Sequence, residues 1–183
     1  IQEILNQAGQ GEKFTLELLV IDGNSNDKTA EIIKEEGIKD RRVKLLINPQ
    51  RITPVSFNIG IKNAAGRYIC ILGAHAEIAP DYLLNCFTII TETNADSVGG
   101  PWKAAGRGYI GQAIALAFQS PFAVGGAKSH RVNYEGYVDT VWGGFYRREV
   151  FDRIGLFDEE LVRNQDDELN YRLVKSGGKI WQT

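Results

Sequence analysis

The chain has 183 residues, 43% of them hydrophobic, with 21 Lys and Arg set against 23 Asp and Glu for a formal net charge of -2. That is enough for one globular domain with a sizeable core, and the near-neutral charge excludes an electrostatic case for nucleic acid. No apolar run reaches the ~18 residues needed to cross a bilayer and Ile1 to Gly11 lack the zones of a signal peptide, so a cytoplasmic segment is expected.

The opening "IQEILNQAG" places Ile1, Ile4 and Leu5 at helical spacing, so the chain is expected to begin inside a helix and to be a fragment of something longer. Residues 13–22, "KFTLELLVID", alternate and then become continuously apolar, which predicts a strand buried on both faces. A helix follows over "KTAEIIKEEG" with Gly37 as its C-terminal cap, then a strand over 42–48. Thr53 and Pro54 predict a threonine-capped helix running to Gly66, and "RYICILG" a third strand. Strand, helix, strand, helix, strand implies right-handed crossovers and a parallel sheet, with ligands beyond the strands' carboxyl ends.

The second half is more mixed. The spacing predicts a helix at 80–93, a strand near 96–103, a glycine-broken amphipathic stretch over 108–126, and a strand near 137–142. Helices near 147–154 and 165–176 follow, with a last strand-like "GGKIWQT". Cys70 and Cys86 fall in apolar strand and helix patterns, so buried thiols are expected rather than a bridge or a zinc site.

Three stretches carry candidate chemistry. In "VIDGNSNDKT" Asp22 ends a strand, where a carboxylate can accept hydrogen bonds from ribose hydroxyls or the uracil N3–H; Ser25 and Asp27 suit helix capping better. In "LVRNQDDELNYRL" Asp166 and Asp167 enter a helix whose Leu169 and Leu173 fix an inward face. Consecutive residues point ~100° apart, so only one acid can be a base at a given site, and the pattern leaves open which. In "VWGGFYRREVF" Gly143 and Gly144 permit close approach of a ligand or a neighbouring backbone, and Arg147 and Arg148 form either a phosphate clamp or, more commonly, a solvated pair. Trp102 and Trp142 suit core packing better than sugar stacking, and His130 sits in a polar loop pattern without a role.

Taken together, "VIDGNSNDKTAEII", "GIKNAAGRYICIL", "GGFYRREVFDRIGLFDEEL" and "DDELNYRL" resemble the family 2 glycosyltransferases of GT-A fold. "AHAEIAPDYL", "VGGP" and "RNQDDELNYRL" look most like the bacterial enzymes of succinoglycan-type exopolysaccharide assembly. The resemblance implies an α/β GT-A domain over 1–183. Its central sheet would be mostly parallel with helices on both faces, without its first strand, with a nucleotide-binding half at 1–100 and an acceptor-binding, catalytic half at 101–183.

It also implies inverting transfer of a sugar from a nucleotide-diphosphate donor, most often a UDP-sugar, to a glycan or lipid-linked acceptor at the inner face of a bacterial membrane. Membrane association would come through parts outside this chain. By position Asp22 looks like the nucleoside-binding aspartate, with Gly23, Ser25, Asp27 and Asn58 around the nucleotide. Asp166 looks like the general base, preceded by Gln165 where the family has a glutamate. Gly143, Gly144, Asp167 and Arg147 fall on the sugar and acceptor side. Gly73-Ala74-His75 falls on the metal motif, normally Asp-x-Asp. His75 remains as a ligand for Mg²⁺ or Mn²⁺, Glu77 is a further candidate, and Gly73 in place of an aspartate weakens the site. The rival reading is a nucleotide-sugar or glycan binding module of the same fold that has lost catalysis.

Overall fold

The computed structural model describes residues 1–101, 104–118, 120 and 133–183. Trp102 and His130 lie outside the described residues. After a short α1 (Gln2–Leu5), β1 (Leu18–Asp22) and β2 (Val43–Ile47) pair in parallel as a two-stranded sheet, joined by α2 (Thr29–Lys39). Next come α3 (Thr53–Asn63), β3 (Tyr68–Cys70), α4 (Tyr82–Glu92), β4 (Ser97–Gly100) and α5 (Gly108–Phe118). The described chain ends with β5 (Gly136–Val138), β6 (Trp142–Arg147), α6 (Glu149–Ile154), α7 (Gln165–Lys175) and β7 (Ile180–Gln182).

The five later strands form one mixed sheet in the order β3-β6-β4-β7-β5. β4 and β7 are parallel, while β6 runs antiparallel to both β3 and β4, and β5 antiparallel to β7. The parallel arrangement read from the sequence therefore holds for β1–β2 and β4–β7, whereas β3 takes β6 as its partner. The two halves drawn at residue 100 share this sheet, since β3 and β4 come from the first and β5 to β7 from the second.

Period-two alternation along β3 and β6 gives the sheet a core on each face. Ile69 and its partner Tyr146 face one side with Val150, Phe151, Leu169 and Leu173; Cys70 and its partner Phe145 face the other with Val98, Cys86 and Ile90. Leu169 and Leu173, fully buried, each add ~1.5–3 kcal/mol by leaving water. The 3.6-residue period places them on the inner stripe of α7.

Several boundaries moved for local reasons. Gly37 does not end α2, which continues to Lys39; a side chain at Gly37 would come 3.0 Å from the Val43 carbonyl, so the glycine serves close packing on β2. Thr53 is the first helical residue of α3 rather than its cap, which is Ile52. The single strand expected near 137–142 is two, β5 and β6, because the segment between them leaves one edge of the sheet for its middle.

Candidate functional site

At the end of β1 the Asp22 carboxylate is buried and accepts two hydrogen bonds from Ser25, from the amide at 2.9 Å and from the hydroxyl at 2.5 Å. An ionised carboxylate offers about four lone-pair positions, so two remain for a ligand. Neither Ser25 nor Asp27 caps α2, whose cap residue is Lys28 without a side-chain bond; Asp27, one residue earlier, accepts the Thr29 amide at 2.9 Å, and hydrogen bonds from Thr29 hold its carboxyl below the ordinary range. Asn24, at φ 56°, and Arg51, at φ 61°, face each other here, and the Arg51 guanidinium donates to the Asn24 carbonyl at 3.0 Å. A side chain at Gly23 would reach the Arg51 backbone at 4.0 Å. Arg51 is a site candidate that the sequence reading missed, because nothing in "NPQRITP" signals a left-handed residue beside the β1 turn.

Asn58, expected near the nucleotide, is instead an internal clamp. Its amide donates to the Phe157 carbonyl and to Glu159, each at 2.9 Å, and its oxygen accepts the Phe157 amide at 2.9 Å. Both amide protons are used inside the protein, tying α3 to the 155–159 loop.

Beyond β3, Gly73 to Ala76 form a turn closed by the Ala76 amide on the Gly73 carbonyl at 3.0 Å, with His75 and Glu77 exposed. Among the described residues no group of three His, Cys, Asp or Glu could hold a metal ion. A hard divalent cation prefers oxygen ligands and takes about six, so one imidazole and one neighbouring carboxylate do not fit such an ion as a resident group. What is missing is the ligand, not the room: a side chain at Gly73 would meet nothing within 4 Å.

The start of α7 lies beside the segment that crosses from β5 to β6, since the Thr140 hydroxyl reaches Asp167 at 3.1 Å; that segment leads to Trp142, which pairs with Gly100 at the rim where β4 ends. Three acids occupy its first turn. Glu168 is engaged by Arg172, which also holds the carbonyls of Ile154 and Leu156. Asp167 takes Thr140. Asp166 alone has no hydrogen bond or ion pair among the described residues. It also shares a helix face with Leu169, Asn170 and Leu173, three, four and seven residues on, all fully buried. Asp166 thus heads the inward stripe of α7 and is itself solvent-exposed. Asp167 heads the stripe of exposed Tyr171 and Val174. Of the two candidate acids, Asp166 is thus the one without a partner among the described residues, and Asp167 the one that is engaged. Burial, together with the negative charge of Asp166, pushes the phenol of Tyr146 up.

Gly143 and Gly144 border the same rim, yet each has an internal reason to be glycine. Gly143 sits at φ +63°, and its carbonyl accepts the Tyr82 hydroxyl at 2.7 Å. A side chain at Gly144 would fall 2.3 Å from the Tyr146 ring, which lies across it. Arg147, placed on the sugar side by the sequence, is at the far end of β6. It donates to the Ala95 carbonyl at 2.8 Å and the Ile90 carbonyl at 2.5 Å, closing the end of α4, and so is withdrawn from the rim. Gly143 and Gly144 lie in β6, where the Tyr146 ring covers Gly144 and the Tyr146 hydroxyl bonds Asn170 of α7, and Asp167 is tied to Thr140 before β6; Asp22, Gly23, Ser25 and Asp27 form a second group at the end of β1. No hydrogen bond among the described residues joins the two.

Comparison with known proteins adds a family. A family model described as "Glycosyl transferase family 2" matches residues 1–155. The chain is 33% identical over 169 residues to the succinoglycan biosynthesis protein ExoA of Rhizobium meliloti, covering 91% of this chain and 51% of that protein. It is 30% identical over 178 residues to a dolichyl N-acetyl-alpha-D-glucosaminyl phosphate 3-beta-D-2,3-diacetamido-2,3-dideoxy-beta-D-glucuronosyltransferase of Methanococcus voltae, covering 92% of this chain and 55% of that one. The chain thus spans about half the length of these curated relatives. Among solved structures, a mannosyltransferase from Pyrobaculum calidifontis in complex with GDP-Man and Mn²⁺ has a TM-score of 0.70 at 17% identity, covering 100% of this chain and 51% of that one. S. aureus TarS in complex with UDP-GlcNAc gives 0.71 at 17%, covering 100% and 50%.

Proposed function

Because the chain belongs to glycosyl transferase family 2 and has the GT-A fold of that family, we propose that it transfers a sugar from a nucleotide-diphosphate donor, a UDP-sugar first, to a hydroxyl of a growing glycan. The observation that carries this is Asp166, the unpaired acid at the head of the inward stripe of α7. Its carboxylate draws the proton from the acceptor hydroxyl as that oxygen attacks the anomeric carbon. The nucleoside diphosphate departs from the opposite face, so the configuration inverts. Asp22, with two lone-pair positions unspent, receives the nucleoside, and Arg51 borders it.

Exopolysaccharide assembly is supported by the likeness to the succinoglycan protein, and a nucleotide-sugar donor by the ligands named for the structural neighbours. The M. voltae relative's name places its substrate on dolichyl phosphate, which supports a lipid-linked acceptor here. So does α5, which has no charged side chain. It buries Ala115 and turns Tyr109 (90% exposed), Ile110 (74%) and Leu116 (68%) outward. Among the described residues no helix is long and apolar enough to cross a membrane, so this face would meet lipid from the surface. The reaction would then take place at the cytoplasmic face of the membrane.

A second reading is favoured by one observation, the absence of a carboxylate at Gly73: a binding module that holds a nucleotide sugar without transferring it. Titration of the full-length protein with UDP- and GDP-sugars, with and without Mn²⁺, separates the two when nucleoside-diphosphate release is followed in parallel. Transfer that Asp166→Asn abolishes, with UDP affinity unchanged, supports the enzyme. Binding without release under every condition supports the module, and full activity in Asp166→Asn refutes the assignment of the base.

A further inference from the structure

Asp167 is not an idle neighbour of the candidate base. It ends a chain of three hydrogen bonds whose direction is fixed by chemistry. An ionised carboxylate only accepts, so the Thr140 hydroxyl donates to Asp167 at 3.1 Å. The Thr140 oxygen then accepts from the Asn170 amide at 3.0 Å, and the Asn170 oxygen accepts from the Tyr146 hydroxyl at 3.0 Å. Tyr146 and Asn170 are buried in the core, and the chain leads from there to an exposed acid. Gly144 leaves the space in which the Tyr146 ring lies.

We propose that Thr140 and Asn170 are positioning residues that fix the rotation of α7, and with it the aim of Asp166. The proposal rests on the reading of Asp166 as base. Asn164, at the cap position, is left-handed at φ 57° and makes no side-chain capping bond, so the first turn of α7 lacks the usual anchor. Two lateral ties replace it. On one side Thr140 grips Asp167 and Asn170, three residues apart on one face; on the other Arg172 grips Glu168 and the carbonyls of Ile154 and Leu156. Both ties hold acids that follow Asp166 in the first turn, and Asp166 is left free to react. Thr140 belongs to the segment before β6 rather than to the helix, so it ties the acid's orientation to the sheet that forms the rim.

The test uses the full-length protein and whichever nucleotide sugar it turns over, read as nucleoside-diphosphate release. Thr140→Val keeps the shape and removes the hydroxyl. It is expected to lower kcat ~10-fold or more with KM for the donor within about twofold, because small misplacement of a reacting group is costly in rate. Thr140→Ser should restore kcat to within about twofold of wild type. The NMR chemical shifts and side-chain couplings of Asp166, which report its orientation, should change in Thr140→Val and return in Thr140→Ser, a readout that needs no turnover. A purely structural role would lower the melting temperature and leave kcat of the folded enzyme and the Asp166 orientation unchanged, and that result overturns the proposal, as does failure of serine to rescue. Asp166→Asn is the control. If it stays active the reading of the base has failed; if it is dead while Thr140→Val is normal, only the positioning role has failed.

Discussion

Replacing Asn58 by leucine tests whether that residue is a clamp or a nucleotide ligand. The substitution removes three hydrogen bonds and leaves the amide and carbonyl of Phe157, both buried, without partners; Glu159 regains water at little cost. An orphaned buried backbone group costs ~1–3 kcal/mol, so the two together destabilise the fold by about 4 kcal/mol. For a chain of this size one kcal/mol moves the midpoint by ~2–4 °C, which gives a fall of about 8–16 °C. Differential scanning calorimetry measures the fall. UDP titration below both transitions measures the affinity, which is expected to stay within about twofold. A variant that melts like wild type but binds UDP ten times more weakly would refute the clamp and return Asn58 to the nucleotide.

Gly73→Asp should fold normally, since the position is open, and should raise the affinity for Mn²⁺ in the presence of UDP by calorimetric titration; no change would mean the turn does not face the diphosphate. Arg147→Ala should lower the melting temperature by removing the bonds to Ile90 and Ala95, an effect of ~1–3 kcal/mol, while donor KM stays unchanged. Glu17 is held below its usual 4.5 first by the Ala65 amide and then by Lys44, so its folded pKa is depressed. Its contribution is present above the unfolded value and is lost as pH falls through the folded one. Glu17→Gln should therefore lower the neutral plateau of a stability-against-pH curve and flatten its acid limb below about pH 4.5, so that the variant and wild-type curves converge at low pH.

Much of the site was legible because the relevant signals are local. Asp22 follows an apolar run and precedes a turn, so its place at a strand end needed no tertiary information. The face carrying Leu169 and Leu173 follows from helical spacing. What spacing could not say was which acid that face would take as its head, since the inner stripe also includes Asn170, a polar residue that reads as outward until Tyr146 is seen to pair with it. Arg147 failed for the opposite reason. Its sequence neighbours are the glycines of the rim, but a six-residue strand carries it to the other end of the sheet, where α4 ends.

The sequence by itself determined most of the elements and the residues able to do chemistry, because periodicity and turn chemistry act over a few residues; the two-faced burial expected of residues 13–22 is not reached, since β1 begins at Leu18 and is half-buried until Asp22. Tertiary structure decided which of those residues have charge to spare. Pairing β3 with β6 and seating α7 against that sheet used Asp167, Glu168, Asn58 and Arg147 for holding the fold, through partners 4 to 101 residues away, and left Asp166 free. A hydrogen-bonding group can be spent only once, and where it is spent depends on what the folded chain brings beside it.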